Sequence, residues 1–77
     1  MAPTVIPTID MVATGSNIKA LIKSRGLKVA DIQKICGFNT PQAIFKWMRG
    51  DALPTIDNMV ILASILGVTI DQLIITR

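Results

Sequence analysis

The chain has no histidine, no glutamate and no tyrosine, and it carries a single cysteine, Cys36. These absences remove much of the usual catalytic chemistry. Without histidine no unperturbed side chain titrates near neutrality, and Cys36 has no imidazole to activate it as a nucleophile. A lone thiol forms no intrachain disulfide, and with no histidine beside it builds no zinc site. The acids are all aspartates, Asp10, Asp31, Asp51, Asp57 and Asp71, scattered without paired spacing. The expectation is a protein that binds rather than an enzyme, with no cofactor. Long apolar runs are also missing. The longest, residues 59–68, is broken by Ser64 and Gly67 and falls well short of the roughly 18 residues a membrane span requires. The N-terminus lacks a basic segment and is interrupted by Pro3 and Pro7, so it does not read as a signal peptide. One unpaired cysteine suits a reducing compartment, and the expected location is the cytoplasm.

With 77 residues the chain has room for one domain. A domain of this size buries only about 60% of the surface its unfolded form exposes, so its core is marginal without reinforcement. Disulfides and metals are excluded, which leaves oligomerisation. The content of hydrophobic residues, 51%, and a mean hydropathy of +0.55 are high for a small soluble monomer and point the same way.

The net charge of +3 is unevenly spread. Residues 17–49 hold seven bases, Lys19, Lys23, Arg25, Lys28, Lys34, Lys46 and Arg49, against the single acid Asp31. Residues 50–76 hold three acids and no base. A basic half joined to a mildly acidic one fits one face for a polyanion and another for a different partner; a merely solvated basic surface fits the charge pattern equally well.

Periodicity gives five short helices. Pro3, Pro7 and their β-branched neighbours favour an extended arm over residues 1–13, ahead of a domain at 14–77. Ile18, Leu21 and Ile22 have amphipathic-helix spacing over 17–25, with Thr14 or Ser16 as the cap and Gly26 as the stop. A second helix, 29–36, carries Val29, Ile32, Ile35 and Cys36 and ends at Gly37. Thr40 and Pro41 read as N-cap and first residue of a third, 41–49, with Ile44, Trp47 and Met48 as its buried side. Thr55 caps a fourth over 56–66. Thr69 and Gln72 form a capping box that opens a fifth, carrying Ile70, Leu73 and Ile74.

Two helices around a glycine-led turn make a helix-turn-helix unit, in which the first helix braces the second and the second enters the major groove. The buried set at the turn is Ile32 and Cys36 before Gly37, then Phe38, Ile44 and Trp47 after it. Trp47 reads as core by its offset from Ile44, and Cys36 as a small buried hydrophobe rather than a redox sensor. Gln42 is the best base reader, because glutamine pairs bidentately with adenine. Phe45 faces either a thymine methyl or the domain edge. The base-reading set is Gln42, Ala43, Phe45 and Lys46; Lys46 favours phosphate as well. The phosphate set is Thr40, Arg49, Lys19 and Lys28.

Five pieces in order resemble the Cro/C1-type (XRE-like, lambda-repressor-like) helix-turn-helix family. They are Ile18-Lys-Ala-Leu-Ile-Lys-Ser-Arg-Gly-Leu27, Gly37-Phe38, Ile44-Phe-Lys-Trp-Met-Arg-Gly50, Leu53-Pro54-Thr55 and Leu66-Gly-Val-Thr-Ile-Asp-Gln-Leu73. The resemblance spans about residues 15–75 and is specific in its order and spacing. It implies an all-α, compact five-helix lambda-repressor-like domain of bacterial or phage type that binds operator DNA as a two-fold dimer. The chain departs from the family pattern in three places. Val29 stands where a phosphate-touching glutamine is common, and Gln33 where a small alanine is common. The turn from Gly37 to Ile44 is one residue longer than usual, and the longer turn makes room for Gln33.

The fourth helix is apolar on more sides than one core can cover. Ile56, Met59, Leu62, Ala63 and Leu66 make a core stripe, leaving Val60, Ile61 and Ile65. A helix apolar nearly all round is usually buried all round, which assigns Ile61, Ile65, Ile74 and Ile75 to a homodimer interface. The function expected is transcriptional regulation, as a repressor, by a double-stranded DNA operator complex without a membrane or small-molecule effector. The alternative is an antitoxin-like or co-regulator module whose fourth and fifth helices bind another protein.

Overall fold

The computed structural model describes residues 6–77, so the first five residues of the expected arm lie outside it. The helices are α1 (Met11–Ser24), α2 (Val29–Cys36), α3 (Gln42–Arg49), α4 (Ile56–Leu66) and α5 (Ile70–Leu73). The all-α architecture matches the expectation. Among the described residues no helix is long and apolar enough to cross a membrane. One core joins Ile18 and Ile22 of α1, Ile32 of α2, Ile44 and Trp47 of α3, Met59, Leu62, Ala63 and Leu66 of α4, and Leu73 of α5. Each helix contributes its i, i+3 or i+4 apolar positions, and the core forms where those faces meet. Ile35, counted with the apolar positions of α2, is 52% exposed.

The first helix begins six residues earlier than the periodicity indicates. Asp10, not Thr14 or Ser16, is its cap, accepting a hydrogen bond from the amide of Ala13 at 3.0 Å. Met11, Val12 and Ala13, assigned to the arm, are helical. The extra turns carry Thr14 and Gly15, poor helix formers by propensity, and tertiary contacts hold them. The Thr14 side chain is fully buried and satisfied on both sides. Its hydroxyl donates to the carbonyl of Ile75 at 3.3 Å and accepts from the Ile75 amide at 3.0 Å.

Gly15 is buried because α3 lies against it. A Cβ there would stand 2.8 Å from the Gly50 nitrogen and 2.8 Å from the Met48 carbonyl oxygen. The reciprocal position, Gly50, has φ +81°, and a Cβ there would come within 2.7 Å of the Met11 carbonyl oxygen. Two glycines thus let the backbones of α1 and the end of α3 touch directly.

The C-terminal end also differs. The capping box at α5 forms as expected, with the Thr69 amide 2.9 Å from Gln72 Oε1 and the Gln72 amide 3.2 Å from Thr69 Oγ1. Yet α5 stops at Leu73, and Ile74 is extended rather than helical. Beyond it the chain pairs antiparallel with the start of the domain through the bridge of Ile9 and Thr76. The Asp10 amide donates to Ile75 (2.8 Å) and the Arg77 amide to Thr8 (2.9 Å). The backbone of residues 8–10, within the expected arm, is thus bonded to the chain's own tail.

The contact at Gly15 makes a direct prediction. Gly15→Ala adds a methyl where only main-chain atoms can yield, and should destabilise by about 1–3 kcal/mol or more despite alanine's better helix propensity. Urea denaturation followed by Trp47 fluorescence measures it. A midpoint equal to or above wild type contradicts the packing described.

Candidate nucleic-acid interface

The two helices of the helix-turn-helix unit are α2 and α3, joined by residues 37–41. Gly37 closes α2 in the left-handed conformation, φ 74°. Gln33 then shapes the turn. Its backbone carbonyl accepts from the Phe38 amide at 3.0 Å, and its side-chain amide donates to the Phe38 carbonyl at 3.3 Å. The long turn and the large residue at this position work together: glutamine spans to the turn and supplies a donor that alanine lacks. Phe38 in turn packs edge-on against Trp47 of α3, with ring centroids 5.7 Å apart. A chain of contacts from Gln33 through Phe38 to Trp47 therefore sets where α3 begins.

Thr40 does not cap α3. The helix starts one residue later than expected, with Pro41 in the cap position and no side-chain cap bond. Proline's fixed φ suits entry into a helix, and the Pro41 carbonyl accepts from the Phe45 amide at 3.1 Å. Thr40 stays exposed in the turn.

Ile44 and Trp47 of α3 are buried at 0% and 4% exposure. The opposite side of the helix presents Gln42, Phe45, Lys46 and Arg49, all exposed. Their spacing of i, i+3, i+4 and i+7 places them on one face. Ala43, grouped with the base readers, is half-buried and packs against the core, so it stands outside this stripe. Met48 is half-buried rather than fully interior. Phe45 leaves 42% of its surface to solvent, which is unusual for a phenylalanine.

The cations separate into distinct situations. Lys19 on α1 and Lys28 at the start of α2 are exposed. The Lys28 amide donates to Asp31 Oδ2 at 2.9 Å, which commits the one acid of the basic half to capping α2. Arg25, counted among the seven bases, has a structural partner: its Nε donates to the Leu66 carbonyl at 2.9 Å, satisfying the end of α4. Arg49 pairs with Asp51, with Nε 2.9 Å from Oδ2. Sequence counting could not separate these cases, since nothing local distinguishes Arg25 from its neighbours. Cys36 is half-buried and packs against the core. Burial pushes its thiol pKa up, which disfavours the reactive thiolate.

The four residues assigned to a dimer interface do not form one exposed group. Ile61, Ile65 and Ile74 are half-buried, and Ile65 and Ile74 pack against the core. Ile74, assigned to the interface, therefore packs within the domain itself. Ile75 is 37% exposed, with its backbone engaged by Asp10 and Thr14. The most exposed apolar side chains of α4 are Ile56 and Val60, at 74% and 54%. Ile56, placed in the core stripe by spacing, points away from it.

A helix-turn-helix family model matches residues 18–73, from the first core isoleucine of α1 to the last leucine of α5. The chain belongs to the Cro/C1-type helix-turn-helix family of DNA-binding transcription regulators. Its fold is similar to that of the restriction-modification controller protein C.AhdI from Aeromonas hydrophila, at TM-score 0.72 and 22% identity, covering 83% of this chain and 96% of that one. It is also similar to the DNA-binding domain of BldD from S. venezulae, at TM-score 0.67 and 20% identity, covering 84% and 96%. At these identities the likeness shows the fold. No curated protein sequence matches the chain.

Gln33→Ala tests the turn. Losing its bond to Phe38 should cost about 1 kcal/mol and speed amide hydrogen exchange in residues 37–41 more than in α4. Exchange that rises uniformly, or not at all, removes Gln33 from the role of strut.

Proposed function

We propose that the chain is a sequence-specific repressor that places α3 in the major groove of an operator. The observation that carries this reading is the face of Gln42, Phe45, Lys46 and Arg49, solvent-exposed directly opposite the buried Ile44 and Trp47. Gln42, in the first turn, reads adenine through its N6 and N7 edge. Phe45 lies against a thymine methyl, which accounts for an exposed aromatic ring on an otherwise polar face. Lys46 reaches a base edge or a phosphate. Arg49, Thr40, Lys19 and Lys28 meet the backbone and fix the register, while carrying no sequence information. Ala43 is left out of the base-reading set because it packs inward. A regulatory role agrees with the two similar folds, since C.AhdI is a controller protein and the BldD domain binds DNA.

Titration of the protein with its own upstream DNA at two salt concentrations tests the reading. Affinity should fall with a log–log slope of about −0.9 for each phosphate neutralised. Gln42→Ala should cost about 1–3 kcal/mol at one base position and relax preference there. Salt-independent binding, or site selection returning identical preferences for mutant and wild type, counts against it.

The repressor acts as a homodimer. Ile61, half-buried on α4, and Ile75, 37% exposed, keep apolar surface open to solvent after the core is complete, whereas Ile65 and Ile74 pack against the core. Pairing about a two-fold axis would bury this surface twice. The same axis would present two copies of α3 to half-sites about one helical turn, roughly 34 Å, apart. Ile61→Glu should leave the chain helical, make it monomeric and remove most operator affinity; a variant dimer as tight as wild type in ultracentrifugation rejects the interface. The exposure of Ile56 and Val60 on α4 favours a second reading, in which α4 and α5 bind a different protein as in an antitoxin-like or co-regulator module. In that case the apolar face of α4 would recruit a heterologous partner and DNA binding would serve autoregulation.

A further inference from the structure

We infer that Asp51 is an internal rival of the DNA phosphate for Arg49, so that the chain holds one end of α3 in a damped state until DNA displaces the carboxylate. The inference rests on the DNA-binding reading of α3. Arg49 Nε donates to Asp51 Oδ2 at 2.9 Å, while both side chains are largely exposed, at 60% and 56%. The contact is built by the backbone. Gly50, with φ +81°, turns the chain sharply at the end of α3, and the Asp51 amide donates back to the Lys46 carbonyl at 2.9 Å. Asp51 is thereby fixed beside the last turn of the helix, at the point where the exposed face ends.

Four features make this more than an ordinary surface pair. Asp51 is the only acid between residues 32 and 56. Asp31, the other acid near the basic half, is held by the Lys28 amide. Among the described residues, the only other ion pair joins Arg77 and Asp10 at 3.8 Å, at the far termini of the chain. The carboxylate also occupies the Nε edge of the guanidinium, one of the two edges through which a phosphate can bind bidentately. An exposed pair contributes little to folding, so its main effect is on what Arg49 can bind. Because a phosphate contact is sequence-blind, the rival lowers affinity for every duplex alike and leaves base preference untouched.

The test is a double-mutant cycle read by binding to a fluorescent random-sequence duplex at low salt, using wild type, Asp51→Asn, Arg49→Ala and the double variant. Asparagine keeps the shape and removes the charge. Asp51→Asn should tighten binding on the order of two- to fivefold, with most of that gain absent in the Arg49→Ala background. An equal gain in both backgrounds means Asp51 acts only as bulk negative charge, and overturns the inference while leaving DNA binding intact. Without DNA, the Arg49 Nε–H resonance should shift and exchange faster with water in Asp51→Ala; an unchanged resonance shows that the pair does not form, and also overturns it. If no variant binds any duplex while the resonance does change, the pair is real, the DNA-binding reading fails, and the inference falls with it.

Discussion

The direct backbone contact between α1 and the end of α3, made through Gly15 and Gly50, is the constraint on which the rest of this small domain depends. A side chain at either position would drive the helices apart, since the atoms in the way are carbonyls, an amide and a Cα. Close packing at the crossing brings Ile18 and Trp47 into the same core and leaves α3 a fixed pose with one face outward. A helix of eight residues has little stability of its own, so the pose of α3 comes from what it touches.

The same helix α1 also gathers the C-terminal part of the chain with polar side chains. Thr14 bonds Ile75, Asn17 donates to the carbonyls of Gln72 and Leu73, and Arg25 donates to that of Leu66. These bonds satisfy helix ends and a tail that would otherwise leave carbonyls unpaired. They tie residues more than 40 positions apart in sequence, and together with the bridge at Ile9 they close the domain around its own termini. A chain with no disulfide partner for Cys36 reaches closure by hydrogen bonds to backbone.

Charge shows how the fold divides residues of one type among different tasks. Arg25 and Arg49 look alike as sequence, each near the end of a helix and just before a glycine. One is spent on the α4 terminus, and the other sits on the outward face of α3 beside Asp51. Lysines 19, 28 and 46 extend into solvent with no ion-pair partner among the described residues. Of the seven bases counted along the chain, Arg49 alone is paired with an acid among the described residues, while Arg25 keeps its charge with its direction fixed by a carbonyl.

Local signals in the sequence determined α2, α3 and α4 to within a residue, each stopped by its own glycine, together with the Thr69–Gln72 box and the burial of Ile32, Ile44 and Trp47. The outward stripe at Gln42, Phe45, Lys46 and Arg49 was legible for the same reason, because a helix with one buried face must present the other. The extra turns at the start of α1, the end of α5 at Leu73, the inward packing of Ala43 and Ile74 and the outward Ile56 belong to the tertiary structure alone. Each depends on partners distant in sequence: Thr14 on Ile75, Gly15 on Gly50, Ile9 on Thr76. Periodicity records how a segment would fold against a generic apolar surface, whereas these features follow from which particular backbone atoms lie opposite, and that is decided only when the chain closes on itself.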